Sequence, residues 1–128
     1  MIEALLAKAD ITFAELDAVA FGSGPGSFTG VRIACALAQG IAFAHGKLVV
    51  PVSTLAAVAY TYAAGSQIWV ANDARMNEVY CAGFTKNVNG NWQESVPVRV
   101  CSPADAMPPP GAVWAFAGMI EWDKMCHC

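Results

Sequence analysis

In the first half of the chain, apolar residues recur at spacings of three and four, with short runs between them in which nearly every position is apolar. That alternation predicts helices separated by strands. Ile2, Leu5, Leu6 and Ala9 share one helical face, so the chain opens in a short amphipathic helix whose start is expected at or upstream of Met1. Thr12 followed by Glu15 is a capping-box pattern for a brief helical turn, and Asp17 to Phe21 reads as a buried strand. Ser23 to Gly26 is then a turn, Ser27 or Thr29 caps a long helix reaching about Ala44, and Gly46 stands where helices commonly end. Lys47 to Val52 is the next strand, and Ser53 caps a helix from Leu55 to about Ala64 ahead of Gly65. Strand, helix, strand and helix in succession predict an α/β fold.

From Gln67 the period shortens. Ile68 to Asn72, Glu78 to Thr85 and Trp92 to Val100 read as three strands, the last two joined through Asn89-Gly90, a strong hairpin dipeptide. They predict the start of an antiparallel meander in a second sheet. Pro103 and the run Pro108-Pro109-Pro110 bracket a short helix, Ala112 to Ala117 reads as one more strand, and the pattern fades after Gly118. The expected division is therefore a first lobe over 1–65 and a second over 66–128.

Composition sharpens this picture. With 56% hydrophobic and 13% charged residues among 128, the chain is built to bury a core and is not disordered. Arg32, Gln39 and His45, or Gly and Pro, interrupt every apolar stretch before the roughly 18 residues that a membrane span needs. Glu3 and Lys8 lie inside the first helical pattern, where a secretory leader would place a basic stretch and then an apolar block, so the expected location is the cytoplasm. A net charge of −3 offers no footprint for a polyanion, and contact with nucleic acid is expected only through a partner. Cys35, Cys81, Cys101, Cys126 and Cys128 are odd in number and contain no C-x-x-C, which argues for reduced thiols over a disulfide framework or a zinc ribbon. Cys126-His127-Cys128 cannot by itself complete a four-ligand shell, so neither metal nor cofactor is expected.

Three segments are candidates for chemistry or binding. Gly22 to Gly30 joins a strand to a helix, where free N–H groups could hold an anion, but it lacks a Walker lysine and the dinucleotide spacing, which leaves a close-packing turn as the simpler reading. In the helix that follows, Gly30, Ala34, Ala38 and Ala42 recur every four residues, a small-residue stripe suited to close approach by the chain's own sheet or by a partner's helix. Arg32 and Cys35 flank the stripe. Asp73-Ala74-Arg75-Met76-Asn77-Glu78 sits at a strand turn, where Asp73 with Arg75 reads as a local salt link, and Arg75 and Met76 occupy the tip that a phosphate-gripping turn would give to glycine. No G-x-S-x-G nucleophile motif is present, and neither His45 nor His127 has the spacing of a triad member. Trp69, Tyr80 and Phe84 read as core or cross-strand aromatics ahead of base-stacking ones.

Taken together, Gly24-Pro25-Gly26-Ser27-Phe28-Thr29-Gly30-Val31-Arg32-Ile33, Ala38-Gln39-Gly40, Pro51-Val52-Ser53-Thr54-Leu55 and Asp73-Ala74-Arg75-Met76 resemble the TsaB family in order and spacing. The likeness is strongest from Met1 to Phe84. It implies the two-lobed fold of actin, hexokinase and Hsp70 (the ASKHA, ribonuclease H-like fold), with the strands from Gln67 opening the second lobe. The family's catalytic relative, TsaD, carries a metal-binding H-x-x-x-H just after the equivalent of Pro51-Val52-Ser53, and here those places are Thr54 and Val58, which cannot replace imidazole ligands. The resemblance therefore implies a non-catalytic scaffold that binds TsaD in forming N6-threonylcarbamoyladenosine on tRNA, with TsaE joining the assembly and tRNA reached indirectly. It assigns the partner interface to the first two helices, through Ile2, Leu5 and Leu6 and through Gly30, Arg32, Ala34, Cys35, Ala38 and Ala42, with homodimerisation when TsaD is absent. TsaB proteins begin with a strand hairpin ahead of the first helix, and Glu121 to Cys128 has no counterpart in them, so truncation at both ends, an unpaired sheet edge and poor solubility are expected. The competing expectations are a nucleotide-using transferase or glycoprotease of the same fold, and a fragment without function.

Overall fold

The computed structural model describes residues 1–62 and 65–117. The chain divides into two compact units, the first made of residues 1–23 and 27–52 and the second of residues 24–26 and those from 53 onward.

The first unit opens with α1 (Ile2–Ala9), which stops where Asp10 turns left-handed at φ 56°. A 3-10 turn at Phe13–Glu15 follows with the expected capping box between Thr12 and Glu15, in which Glu15 Oε2 accepts from both the backbone N–H and the hydroxyl of Thr12 at 2.8 Å. This turn is fastened to the end of the long helix: the Phe13 ring stacks on His45 at 4.9 Å, and Lys47 Nζ donates to the carbonyl of Ala14. Strand β1 (Ala18–Gly24) pairs with β2 (Leu48–Ser53) in a two-stranded sheet, with α2 (Phe28–His45) between them in the chain. Ser27 caps α2, its Oγ accepting from the Gly30 N–H, and Gly46 closes it with φ 61°. The buried strand expected at Asp17 to Phe21 is only half-buried at Val19 and Phe21 and exposed at Ala20, because a sheet of two strands covers little of either face.

In the second unit, β3 (Gln67–Arg75), β4 (Glu78–Lys86), β5 (Trp92–Cys101) and β6 (Val113–Ala117) form a four-stranded sheet in the order β5-β4-β3-β6. The meander β3-β4-β5 is antiparallel as expected, and β6 adds to β3 in parallel, which the local pattern could not reveal. Alternation along β3 sends Ile68 and Val70 to one face and Trp69 to the other. On the first face α3 (Thr54–Thr61) buries Leu55 and Ala59 against Ile68, Val70, Ala82, Phe84, Trp92 and Ala115. That packing places α3 in the second unit, although the sequence pattern reads it as the end of the first lobe. The helix stops at Thr61, and the rest of the span read as helical, to Ala64, lies outside the described residues. On the opposite face Trp69, Val79, Cys81 and Ala106 form a second cluster, and the Trp69 Nε1–H donates to the Ala106 carbonyl at 2.6 Å. Ala106 comes from the short helix expected after Pro103, a 3-10 turn at Pro103–Ala106 capped by Ser102. Cys126, His127 and Cys128 lie outside the described residues. Among those residues no helix is long and apolar enough to cross a membrane.

Candidate functional site

The glycine-rich run at the end of β1 is ordered by local chemistry. Gly24 has φ 90°, a conformation glycine adopts without strain, and its bond to Pro25 is cis. Ser27 Oγ takes one of the free N–H groups of α2, and the Arg32 guanidinium lies over the Phe28 ring at 3.7 Å, so this charge is spent on its own helix. A Cβ at Gly30 would meet Ser27 Cβ at 3.5 Å, an ordinary contact, so packing within the chain does not demand glycine there.

Helix α2 shows what the small-residue stripe does. Residues four apart precess by about 40° per step on a helix with 3.6 residues per turn. The stripe consequently drifts around α2: Gly30 is exposed, Ala34 half-buried, and Ala38 and Ala42 buried at 4% exposure. Cys35 is half-buried beside it and Arg32 is exposed. The positions that stay on the outward side are Ile33, Leu37, Gly40 and Ala44, joined by Ala36 and Phe43, and all six are exposed. Ile33 is 55%, Leu37 52% and Phe43 93% exposed, an apolar face of the kind that helix surfaces normally give to polar residues. Reading i, i+4, i+7 and i+11 from Ile33 would have found this face in the sequence. On α1, Leu5 is exposed while Ile2 and Leu6 are half-buried.

The Asp73–Glu78 segment is the β3–β4 hairpin. Asp73 Oδ1 accepts from the backbone N–H of Arg75 at 2.8 Å, so the link between the two residues runs to the backbone and not to the guanidinium expected from sequence. Arg75, Met76 and Asn77 are consecutively left-handed, with φ of 65°, 53° and 59°, and all three side chains are exposed together with Glu78; Ala74 is half-buried before them. Asn tolerates this region, whereas Arg and Met are strained in it. Trp69 and Phe84 are buried and Tyr80 half-buried, in keeping with core roles. Thr54 and Val58, singled out above from the resemblance, both lie on α3. Among the described residues no group of three His, Cys, Asp or Glu side chains is placed to hold a metal ion.

Two α/β units, a capped long helix following a glycine-rich strand end in one and a meander opening the other, define a protein of the actin, hexokinase and Hsp70 class of fold. Residues 1–122 match the family model described as "TsaD: tRNA N6-adenosine threonylcarbamoyltransferase". The chain belongs to that family, and its curated relatives place it with the TsaB proteins. It is 39% identical over 117 residues to the tRNA threonylcarbamoyladenosine biosynthesis protein TsaB of Haemophilus influenzae, across 84% of this chain and 50% of that protein. With the Escherichia coli protein of the same name it shares 36% identity over 106 residues, covering 80% of this chain and 46% of the relative. A crystal structure from Pseudomonas aeruginosa, described as an uncharacterized protein with similarity to peptidase YEAZ, superposes with a TM-score of 0.80 at 38% identity, over 89% of this chain and 55% of that one. YeaZ from the same organism gives a TM-score of 0.77 at 38% identity, over 86% and 52%. The chain spans about half the length of the curated relatives it matches.

Proposed function

We propose that this chain is a non-catalytic partner in the biosynthesis of tRNA threonylcarbamoyladenosine, docking a TsaD-type threonylcarbamoyltransferase through α1 and α2 of its first unit. The observation that carries the reading is the outward face of α2, where Ile33, Leu37 and Phe43 lie exposed on a helix whose other side buries Ala38 and Ala42. A face of that kind gains most by covering against another apolar surface, and Leu5 on α1 adds to the apolar surface of the same unit. The relatives' names supply the pathway, and TsaD is the partner whose family the chain shares. Thr54 and Val58 supply no imidazole for the metal that TsaD chemistry uses, which supports the scaffold role over catalysis. In this reading the protein works in the cytoplasm within two lobes of the ASKHA type, TsaE joins the assembly, tRNA is bound by the complex, and the α2 face pairs two copies when TsaD is missing.

The test is titration of the chain into purified TsaD by calorimetry, beside a variant carrying both Ile33→Glu and Leu37→Glu. Binding by the parent and a loss of at least about 30-fold in the variant support the reading, since hot-spot residues at an interface centre contribute about 2 kcal/mol or more. Failure of the parent to bind, or equal binding by both, overturns it.

A further inference from the structure

The second unit contains a thiol pair that the proposed scaffold role does not use. Cys81 lies on β4 and Cys101 ends β5; in the register of this pair Val79 stands opposite Cys101 and Cys81 opposite Arg99. The two cysteines are therefore diagonal neighbours on one face, and their Sγ atoms are 3.4 Å apart with both thiols free. Cys81 is fully buried in the cluster with Trp69, Val79 and Ala106, while Cys101 is half-buried, so an oxidant arriving from solvent meets Cys101 first. The Arg99 guanidinium completes the group, lying 5.8 Å from the Trp69 ring centroid and donating through Nη2 to the Asp105 carbonyl at 3.1 Å. A hydrogen bond to Cys81 is the main cause that raises the Arg99 pKa above its ordinary value.

We propose that Cys81 and Cys101 are a reversible modification site, joined as a cross-strand disulfide when a peroxide oxidises Cys101. The deprotonated sulfur of Cys101 attacks one peroxide oxygen, the O–O bond breaks, and hydroxide leaves and is protonated to water, which makes Cys101 a sulfenic acid. Cys81 then attacks that sulfur from its place 3.4 Å away; the S–S bond forms, the S–O bond breaks, and the departing hydroxide takes up the proton of Cys81 as the second water. Two thiols give up two electrons and two protons, and one peroxide becomes two waters. An external dithiol reverses the oxidation.

Geometry makes this bond labile. The sulfurs must close to about 2.05 Å, and diagonal Cα atoms on a regular ladder stand roughly 7–8 Å apart, beyond the usual disulfide limit of about 6.8 Å. The ladder irregularity beside the pair, where the two steps of β4 from Cys81 to Gly83 face three steps of β5 from Arg99 to Val96, is where β5 can give way, and the strain that remains favours reduction. Burial, with the hydrogen bond to Cys81 adding to it, pushes the Cys101 thiol up to about 11, so attack on peroxide is slow at neutral pH and accelerates in base.

The experiment treats the full chain with hydrogen peroxide at mildly alkaline pH, alkylates the remaining thiols and maps the peptides by mass. The expected product joins the Cys81 and Cys101 peptides, two hydrogens lighter than their sum. It exceeds every other cysteine pairing by at least about tenfold, disappears with dithiothreitol, survives Cys35→Ser and is absent from Cys101→Ser. Sulfinic acid at Cys101 with Cys81 still open to alkylation overturns the proposal, as do random pairing among the five cysteines and no reaction at all.

Discussion

In the second unit the apolar residues of β3 and β4 are covered on both faces, with Leu55 and Ala59 of α3 packed on one side and Trp69, Val79 and Ala106 clustered on the other. The first unit leaves Ile33, Leu37, Phe43 and Leu48 exposed on α2 and β2. The two regions draw on the same apolar-rich alphabet, yet one spends it on its own stability and the other holds it toward solvent. Burial of an apolar group contributes to folding only where the group is covered, so leucines in the two units should answer the same substitution differently.

The largest contrast comes from that substitution. Leu55→Ala removes a fully buried side chain and should lower stability by about 3 kcal/mol. Leu37→Ala, at a half-exposed position, should change it by less than about 0.5 kcal/mol while weakening TsaD binding. Urea unfolding followed by circular dichroism measures both, and equal losses would break the comparison. Smaller is Gly83→Ala: its Cβ would lie 2.8 Å from Trp69 Cζ3 and 3.1 Å from Val96 Cβ, and overpacking should cost about 2 kcal/mol, felt in the second unit.

The smallest effects are those of pH, and they have opposite signs in the two units. The Glu15 pKa is lowered chiefly by the hydrogen bond from the Thr12 backbone, so its contribution is present above the ordinary carboxylate value of 4.5 and is lost as pH falls through the lowered value. Cys101 is raised, so the folded second unit holds this proton more tightly than the unfolded chain does. Its contribution is present below the ordinary thiol value of 9.0 and is lost as pH rises through about 11. Thermal melts in acid and in base separate the two, and Glu15→Gln and Cys101→Ser, which each remove the titrating group, should each flatten its own limb.

Elements whose evidence is local were legible in the sequence. Ser27, Gly46 and Ser53 mark helix ends through their own side chains or backbone freedom, and the structure places caps at all three. The parallel pairing of β6 with β3 was not legible, since it joins strands about 45 residues apart and no local spacing encodes it. The outward face of α2 was within reach but hidden by the glycine and alanine repeat, which follows a row that winds around the helix and does not keep to one side. At the β3–β4 turn, Asn77 hints at a left-handed residue, but nothing about Arg75 or Met76 announces that they share its conformation.

Burial of Trp69 and Trp92, with their indole N–H groups given to the carbonyls of Ala106 and Tyr62, makes the two regions optically distinguishable. Trp69, Trp92, Trp114 and Trp122 all follow residue 53 in the sequence, so no indole emission originates in the first unit. The far-ultraviolet helical signal arises mostly from α1 and α2 of the first. One sample heated once, observed in both channels, would therefore report whether the chain melts as a single cooperative body or as two.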